Sequence, residues 1–322
     1  MSDKNEYLLT DEEYNSKLED IKFDAFAKAS TSESPSIFIL GGQPGAGKTK
    51  ARNIAERKMS DKGHVTIDID GYRDIHPHAD DIWNKYGRDA SIHTHADVGK
   101  WGDDVRDEAV SRRLNIILEG TMRTNSICKT IKHLKCLGYE INIIGMAVNK
   151  FESRLGIHQR YEDALDRKEI PRFVSKEFHD EAYEGMPKTM QQIYDEKLYD
   201  TLVICTRSGE TIFSSHKEQH KNGVDVKSVI DKERNKSWSK EKYNDYVEAS
   251  DNILRLLKSR EREDKYIDDV KGLQSEAKSM VKEEVFAQLE KDTQAKLNVG
   301  KAQDHTIVVS QPAIKSLKDT GR

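Results

Sequence analysis

Lys48 follows a glycine-rich turn in IFILGGQPGAGKTKA, residues 37–51, and no other stretch of the chain defines a chemistry as narrowly by residue type and spacing. Gly42, Gln43, Pro44, Gly45, Ala46, Gly47, Lys48 and Thr49 fill the pattern GxxxxGK[ST]. Glycines let backbone N–H groups converge on phosphate, and a following helix adds the partial positive charge of its N-terminus. Lys48 can then reach β and γ phosphates while Thr49 ligates Mg²⁺. The required context is present: apolar residues precede the loop as a strand, and KARNIAERK, a good helix former, comes after it. Binding of a nucleoside triphosphate such as ATP is the inference, preferred over a glycine turn with a surface lysine.

Holding a phosphate is not yet a function, and the nearby acids decide whether it can be transferred. Asp68 and Asp70 close the strand in TIDIDGYRDIHP, on the sheet edge that carries Lys48. Alternation sends the two carboxylates to opposite sides, so one can serve an acceptor hydroxyl as base while the other is structural. Taken singly, either reads as readily as a strand-end cap. Glu119 ends the strand in ILEGTMRT, again on that edge, with Thr121 and Arg123 beside it.

The elements that must position these residues can be read from periodicity. Thr10 and Glu13 form a capping box, and Tyr14, Leu18, Ile21 and Ala25 predict an amphipathic helix over about 11–28. Strands are expected at 36–41, 64–69, 115–120, 140–148 and 201–206, after which SGE turns into TIFS. The early strands are unbroken apolar runs separated by helix-length segments. That predicts an α/β fold: a P-loop kinase-like parallel sheet covered by helices on both faces, with a helical C-terminal extension.

Residues 1–217 are expected to form the kinase-like domain, 218–297 a charged helical extension and 298–322 a disordered tail. Within the extension, Tyr243, Tyr246, Val247, Ile253, Leu254 and Leu257 hold a helical period. A second set runs Tyr266, Val270, Leu273, Ala277 and Met280, then continues through Val281, Val285 and Leu289 with a shift of one. Charged residues make up 34% of the chain, which fits an extended solvated region, while a net charge of -4 argues against nucleic acid as partner. Cys128, Cys136 and Cys205 form no CxxC pair and read as buried, reduced thiols. MSDKNEYLLTDEEY lacks the basic start and apolar run of a signal peptide, and no stretch reaches the length of a membrane span. A cytoplasmic protein without membrane contact is the expectation.

GGQPGAGKT, IDIDGYRDIHPHADDIWNKYG, ILEGTMRT, QRYEDAL and PRFVSKEFHD, in this order and spacing, resemble the zeta toxin family of bacterial toxin–antitoxin systems over roughly residues 8–216. The resemblance implies an ATP-dependent kinase that phosphorylates the 3′-hydroxyl of the amino-sugar in UDP-N-acetylglucosamine, or a related UDP-sugar, and so blocks cell-wall synthesis. It also implies a small antitoxin that blocks nucleotide binding. Carried over residue by residue, it assigns Lys48 and Thr49 to nucleotide and Mg²⁺, Asp70 to the catalytic base, and Glu119 and Thr121 to the sugar nucleotide, with Arg123 beside them. Asp103 stands where the family has a glutamate on the sugar. Arg160 and Arg172 match two phosphate-gripping arginines, and a one-residue difference in spacing leaves Arg167 as a rival to Arg172.

Two other readings remain. A GTPase switch is imitated by Asp68 to Gly71 (DxxG) and by Asn149 to Glu152 (NKFE), although glutamate replaces the aspartate that pairs with guanine. The other is an interaction protein with a silent site, or one restrained in cis by the C-terminal arm or the N-terminal helix.

Overall fold

A computed structural model describes residues 6–284. Its first half runs α1 (Asp11–Phe26), β1 (Ser36–Gly41), α2 (Thr49–Lys58), β2 (Val65–Ile67), α3 (Ala79–Tyr86), α4 (Ala90–His93), α5 (His95–Ser111), β3 (Ile116–Glu119), α6 (Ser126–Cys136) and β4 (Glu140–Met146). The second half adds α7 (Lys150–Asp166), α8 (Lys176–Asp195), β5 (Thr201–Cys205), β6 (Thr211–His216), α9 (Val226–Arg234), α10 (Lys240–Ser259) and α11 (Asp264–Glu276). The capping box is formed: Glu13 donates its backbone N–H to Thr10 Oγ1 at 3.3 Å, and Thr10 donates its own to the Glu13 carboxylate at 3.0 Å.

The strands form one sheet in the order β2-β3-β1-β4-β5-β6. Neighbours pair in parallel except β6, which returns antiparallel to β5 because the short SGE turn leaves no length for a crossover. Ile37 and Ile39 enter a core with residues of α1, α5, α6 and α8, while Phe38 and Leu40 enter another with Ala51 and Ala55 of α2. A strand buried on both faces reads as an unbroken apolar run, which is why SIFILG shows no alternation. Parallel pairing also brings the C-terminal ends of β1, β2 and β3 to one edge, so the glycine loop, the Asp68–Asp70 turn and Glu119 share it.

The chemical texture changes after residue 217, but the packing does not change with it. α9, which falls in neither of the two apolar sets, buries Val226 and Ile230 completely in the same core as the sheet. α10 and α11 correspond to the two apolar sets and pack on each other and on α7, joining Ile253, Leu257, Val270 and Leu273 to Phe151 and Leu155.

The second set does not carry its helix through Val281. The helix ends at Glu276, a 3₁₀ turn spans Ala277–Met280, and Val281 is extended and bridged to Trp238. The one-residue shift takes Val281 off the apolar stripe, and pairing with Trp238 buries it instead. Val285, Leu289 and the 298–322 tail lie outside the described residues. Cys128 and Cys205 are buried free thiols, whereas Cys136, at the end of α6, is exposed against expectation. Among the described residues no helix is long and apolar enough to cross a membrane.

Candidate active site

The loop after β1 leads into α2, with Lys48 at its N-cap and Thr49 as its first residue. Gly45 has φ +76°, and a Cβ there would stand 1.9 Å from the Ser153 carbonyl oxygen, so only glycine lets the loop lie against α7. Lys48 donates from Nζ to the Gly42 carbonyl at 3.2 Å. Burial, the largest influence, pushes its pKa down, and Asp70 and Glu119 oppose it. An ammonium held in that state gains from an arriving anion.

β2 ends at Ile67, so Asp68 and Asp70 lie in the turn beyond it and strand alternation does not govern them. Their separation comes from partners. Asp68 accepts from Arg52 Nη2 at 2.8 Å, and Arg52 Nε also pairs with Glu119, so one cation ties the ends of two strands together. Asp70 stands at the N-cap of the 3₁₀ turn Gly71–Ile75 and accepts from Arg73 Nε at 3.2 Å. Arg73 in turn donates to the Ser91 carbonyl at 2.8 Å and to Thr94 Oγ1 at 2.6 Å, anchoring the turn to the start of α5. Burial alone would raise the Asp70 pKa, but Arg73, Arg160 and Lys48 outweigh it and hold the carboxyl below its ordinary value.

Arg160 reaches this group from α7. Its Nε is buried without a hydrogen-bond partner among the described residues. Burial favours the neutral form, Asp70 opposes that, and Arg172 acts with burial, which places both arginines in the field of the carboxylate. Arg172 itself makes a two-pronged pair with Asp74, at 3.1 and 2.5 Å, on the turn that Asp70 begins. Its rival Arg167 is exposed and pairs only locally with Glu169 at 2.8 Å.

The remaining residues expected at the site are spread further. Thr121 Oγ1 accepts from the Arg123 backbone N–H at 3.3 Å. Arg123 pairs with Glu181 at 2.5 Å and lies 4.8 Å from the Phe178 ring, so the EGTMR segment is held against α8. Asp103 is not gathered with the others: it is exposed on α5 and pairs with Arg106 at 2.5 Å. His95, which no motif singled out, does enter the group. Burial lowers its pKa first, then Arg73 and Arg123, with Asp70 opposing.

Behind the loop lies a buttress that the motif does not show. Gln43 is fully buried and its amide is used internally, donating to the Val148 carbonyl at 2.8 Å and to Ser153 Oγ at 3.1 Å. Ser153 continues to His179 at 2.9 Å and His179 to Asp180 at 2.8 Å. The order resembles a nucleophilic triad, but Ser153 is fully buried and its hydroxyl also bonds the Asn149 and Lys150 carbonyls, so it braces rather than attacks. Arg207 donates to the Gly45 carbonyl at 2.7 Å.

Arg234 of α9, 1% exposed, donates to Gln43 Oε1 at 2.9 Å and to the Tyr183 carbonyl at 2.7 Å. Arg234→Met leaves the buried Gln43 oxygen and the half-buried Tyr183 carbonyl unpaired, at up to about 1–3 kcal/mol each. Urea denaturation of the variant is expected to show about 2–4 kcal/mol of lost stability, and a loss below about 1 kcal/mol would mean that the bonds are unimportant.

The GTPase reading loses its guanine-binding asparagine here. Asn149 Oδ1 accepts from the Phe151 N–H at 2.8 Å as the cap of α7, and its Nδ2 donates to the Arg234 carbonyl at 2.7 Å. What the site offers is a phosphate loop, a cation whose Nε has no hydrogen-bond partner among the described residues and a carboxylate kept ionised, the components of phosphoryl transfer to a hydroxyl.

Comparison with known proteins agrees with that chemistry. The family model described as Zeta toxin matches residues 21–219. Toxin zeta of Streptococcus pyogenes is 28% identical over 255 residues, 78% of this chain and 87% of that protein. Toxin zeta of Enterococcus hirae is 30% identical over 210 residues, 64% and 72% of the two chains. A structure from work on the PezAT chromosomal toxin–antitoxin system of Streptococcus pneumoniae superposes with a TM-score of 0.66 at 24% identity, covering 79% of this chain and all of that one.

Proposed function

The chain belongs to the zeta toxin family of P-loop ATP-binding kinases, and from that premise we propose that it transfers the γ-phosphate of ATP to the 3′-hydroxyl of the amino-sugar of UDP-N-acetylglucosamine or a related UDP-sugar. The observation that carries the proposal is the meeting of Asp70, Lys48 and Arg160 at the C-terminal edge of the sheet, in each other's electrostatic field. Lys48 and the loop N–H groups hold the β and γ phosphates. Asp70 orients the acceptor hydroxyl and takes its proton, and Arg160 and Arg172 meet charge developing on the transferred group. Glu119, Thr121 and Arg123 contact the sugar nucleotide. Asp103 joins them only if Arg106 releases it, an exposed pair whose loss costs under about 1 kcal/mol.

Mg²⁺ fits this arrangement. Among the described residues no cluster of His, Cys, Asp or Glu forms a cage for a metal, and magnesium at such loops is held largely by phosphates and water with one or two protein oxygens. The Thr49 hydroxyl at the head of α2 supplies one. Bound there, the ion would neutralise phosphate charge.

The protein acts in the cytoplasm with a separate antitoxin as partner, as the toxin–antitoxin system named for the pneumococcal relative suggests; the family resemblance implies that this partner covers the nucleotide site. Residues 1–217 supply the reacting groups. The described part of the extension, residues 218–284, supports them, with Arg234 bonded to the loop glutamine, rather than restraining the site.

Incubating the purified chain with ATP, Mg²⁺ and UDP-N-acetylglucosamine is expected to give a singly phosphorylated sugar nucleotide by mass spectrometry. No phosphorylated product across a panel of UDP-sugars would overturn the proposed acceptor.

A further inference from the structure

Beside the phosphate loop lies a cavity of about 660 Å³, within the range of small-ligand sites. Two of its lining residues fix its position. Arg207 donates to the Gly45 carbonyl at 2.7 Å, and a Cβ on Gly156 would stand 2.9 Å from that same oxygen. A triphosphate held by the loop therefore has this space within reach for its nucleoside. Leu155, Tyr246 and Ala249 supply apolar surface, and Glu152 and Lys242 supply charge.

We propose that the cavity takes the nucleobase and that Lys242, on α10 of the C-terminal extension, selects adenine over guanine by occupying the Glu152 carboxylate. The proposal rests on the kinase reading above. Glu152 is the last residue of Asn-Lys-Phe-Glu, the sequence that imitates a guanine-binding motif. A free carboxylate there would accept the N1–H and 2-amino donors of guanine. In this chain its Oε2 instead accepts from Lys242 Nζ at 3.0 Å, and Lys242 is steadied 5.1 Å from the Trp238 ring. The ammonium would thus meet guanine donor to donor, whereas the N1 of adenine is an acceptor. Asn149 cannot compensate, since both ends of its amide are bonded within the protein. Selection in this arrangement works by repelling the wrong base as much as by binding the right one.

The test uses the full-length chain and displacement of a fluorescent ADP analogue by ATP, GTP and inorganic tripolyphosphate. Lys242→Met is expected to shift the ATP-to-GTP affinity ratio toward GTP by about tenfold. Adding Glu152→Gln removes that gain, and tripolyphosphate competes equally in all three proteins. A ratio that moves by less than about twofold in Lys242→Met, or tripolyphosphate binding that weakens in step with the nucleotides, overturns the role of Lys242. The kinase reading fails separately, and this proposal with it, if Lys48→Ala leaves binding of the ADP analogue and tripolyphosphate intact.

Discussion

Asp70→Asn is expected to lower phosphoryl transfer to the proposed sugar-nucleotide acceptor by about 10²–10⁴-fold, the usual contribution of a positioned general base. ATP affinity stays within about twofold, because the phosphates are held elsewhere. The amide keeps the shape of the carboxylate and can still accept from Arg73 through its oxygen, so the 3₁₀ turn after it survives. What disappears is the capacity to take a proton. The pH profile adds a second check. The Asp70 pKa is depressed in the folded protein by Arg73, Arg160 and Lys48. Its base form is therefore fully present above the ordinary carboxylate range, and activity on this limb falls only below about pH 4. Single-turnover rates with ATP in excess measure the first effect, and retained turnover in the variant would remove Asp70 from the chemistry.

Arg160→Met is expected to cost about 10³–10⁵ in rate, the range for arginines that meet transition-state charge, or about 4–7 kcal/mol of barrier. Its stability effect separates this role from a structural one. Arg160 Nε has no hydrogen-bond partner among the described residues and burial presses the group toward its neutral form, so the fold gains little from it. The variant should unfold at equal or higher denaturant concentration, an exchange of stability for function. Arg167→Ala is the matched control. It breaks an exposed pair with Glu169, whose loss changes rate and stability little. A large rate loss in Arg167→Ala with none in Arg160→Met would reverse the assignment.

Comparing these residues shows what sequence can and cannot carry. The loop, the strands and the amphipathic α1 were legible because each depends on neighbours a few positions away: a glycine pattern, an apolar run, a capping box. Asp70 and Glu119 were legible because strand ends in a parallel sheet share an edge. Arg52, Arg73, His95, Arg207 and Arg234 were not. Nothing local marks Arg207 as the donor to Gly45 or Arg234 as the donor to Gln43, since those contacts close over 162 and 191 residues. Asp68 was placed by an alternation that needs a longer strand than Val65–Ile67. α9 escaped notice because Val226, Val229 and Ile230 hold helical spacing over little more than one turn, enough to bury a short helix and too short a run to stand out in a charged stretch.

The bond between Arg234 and Gln43 also sets a schedule. The phosphate loop is made early, and its buried brace is 191 residues further along the chain. At about 5–20 residues per second, a ribosome needs roughly 10–40 s to cover that distance. Over the last 62 of those residues, from Arg172 to Arg234, the nascent chain carries every reacting group expected at the site, yet its loop glutamine has no guanidinium to hold it. A kinase of this family is thereby born before its phosphate loop is braced, and until Arg234 is made the loop rests on its other contacts alone.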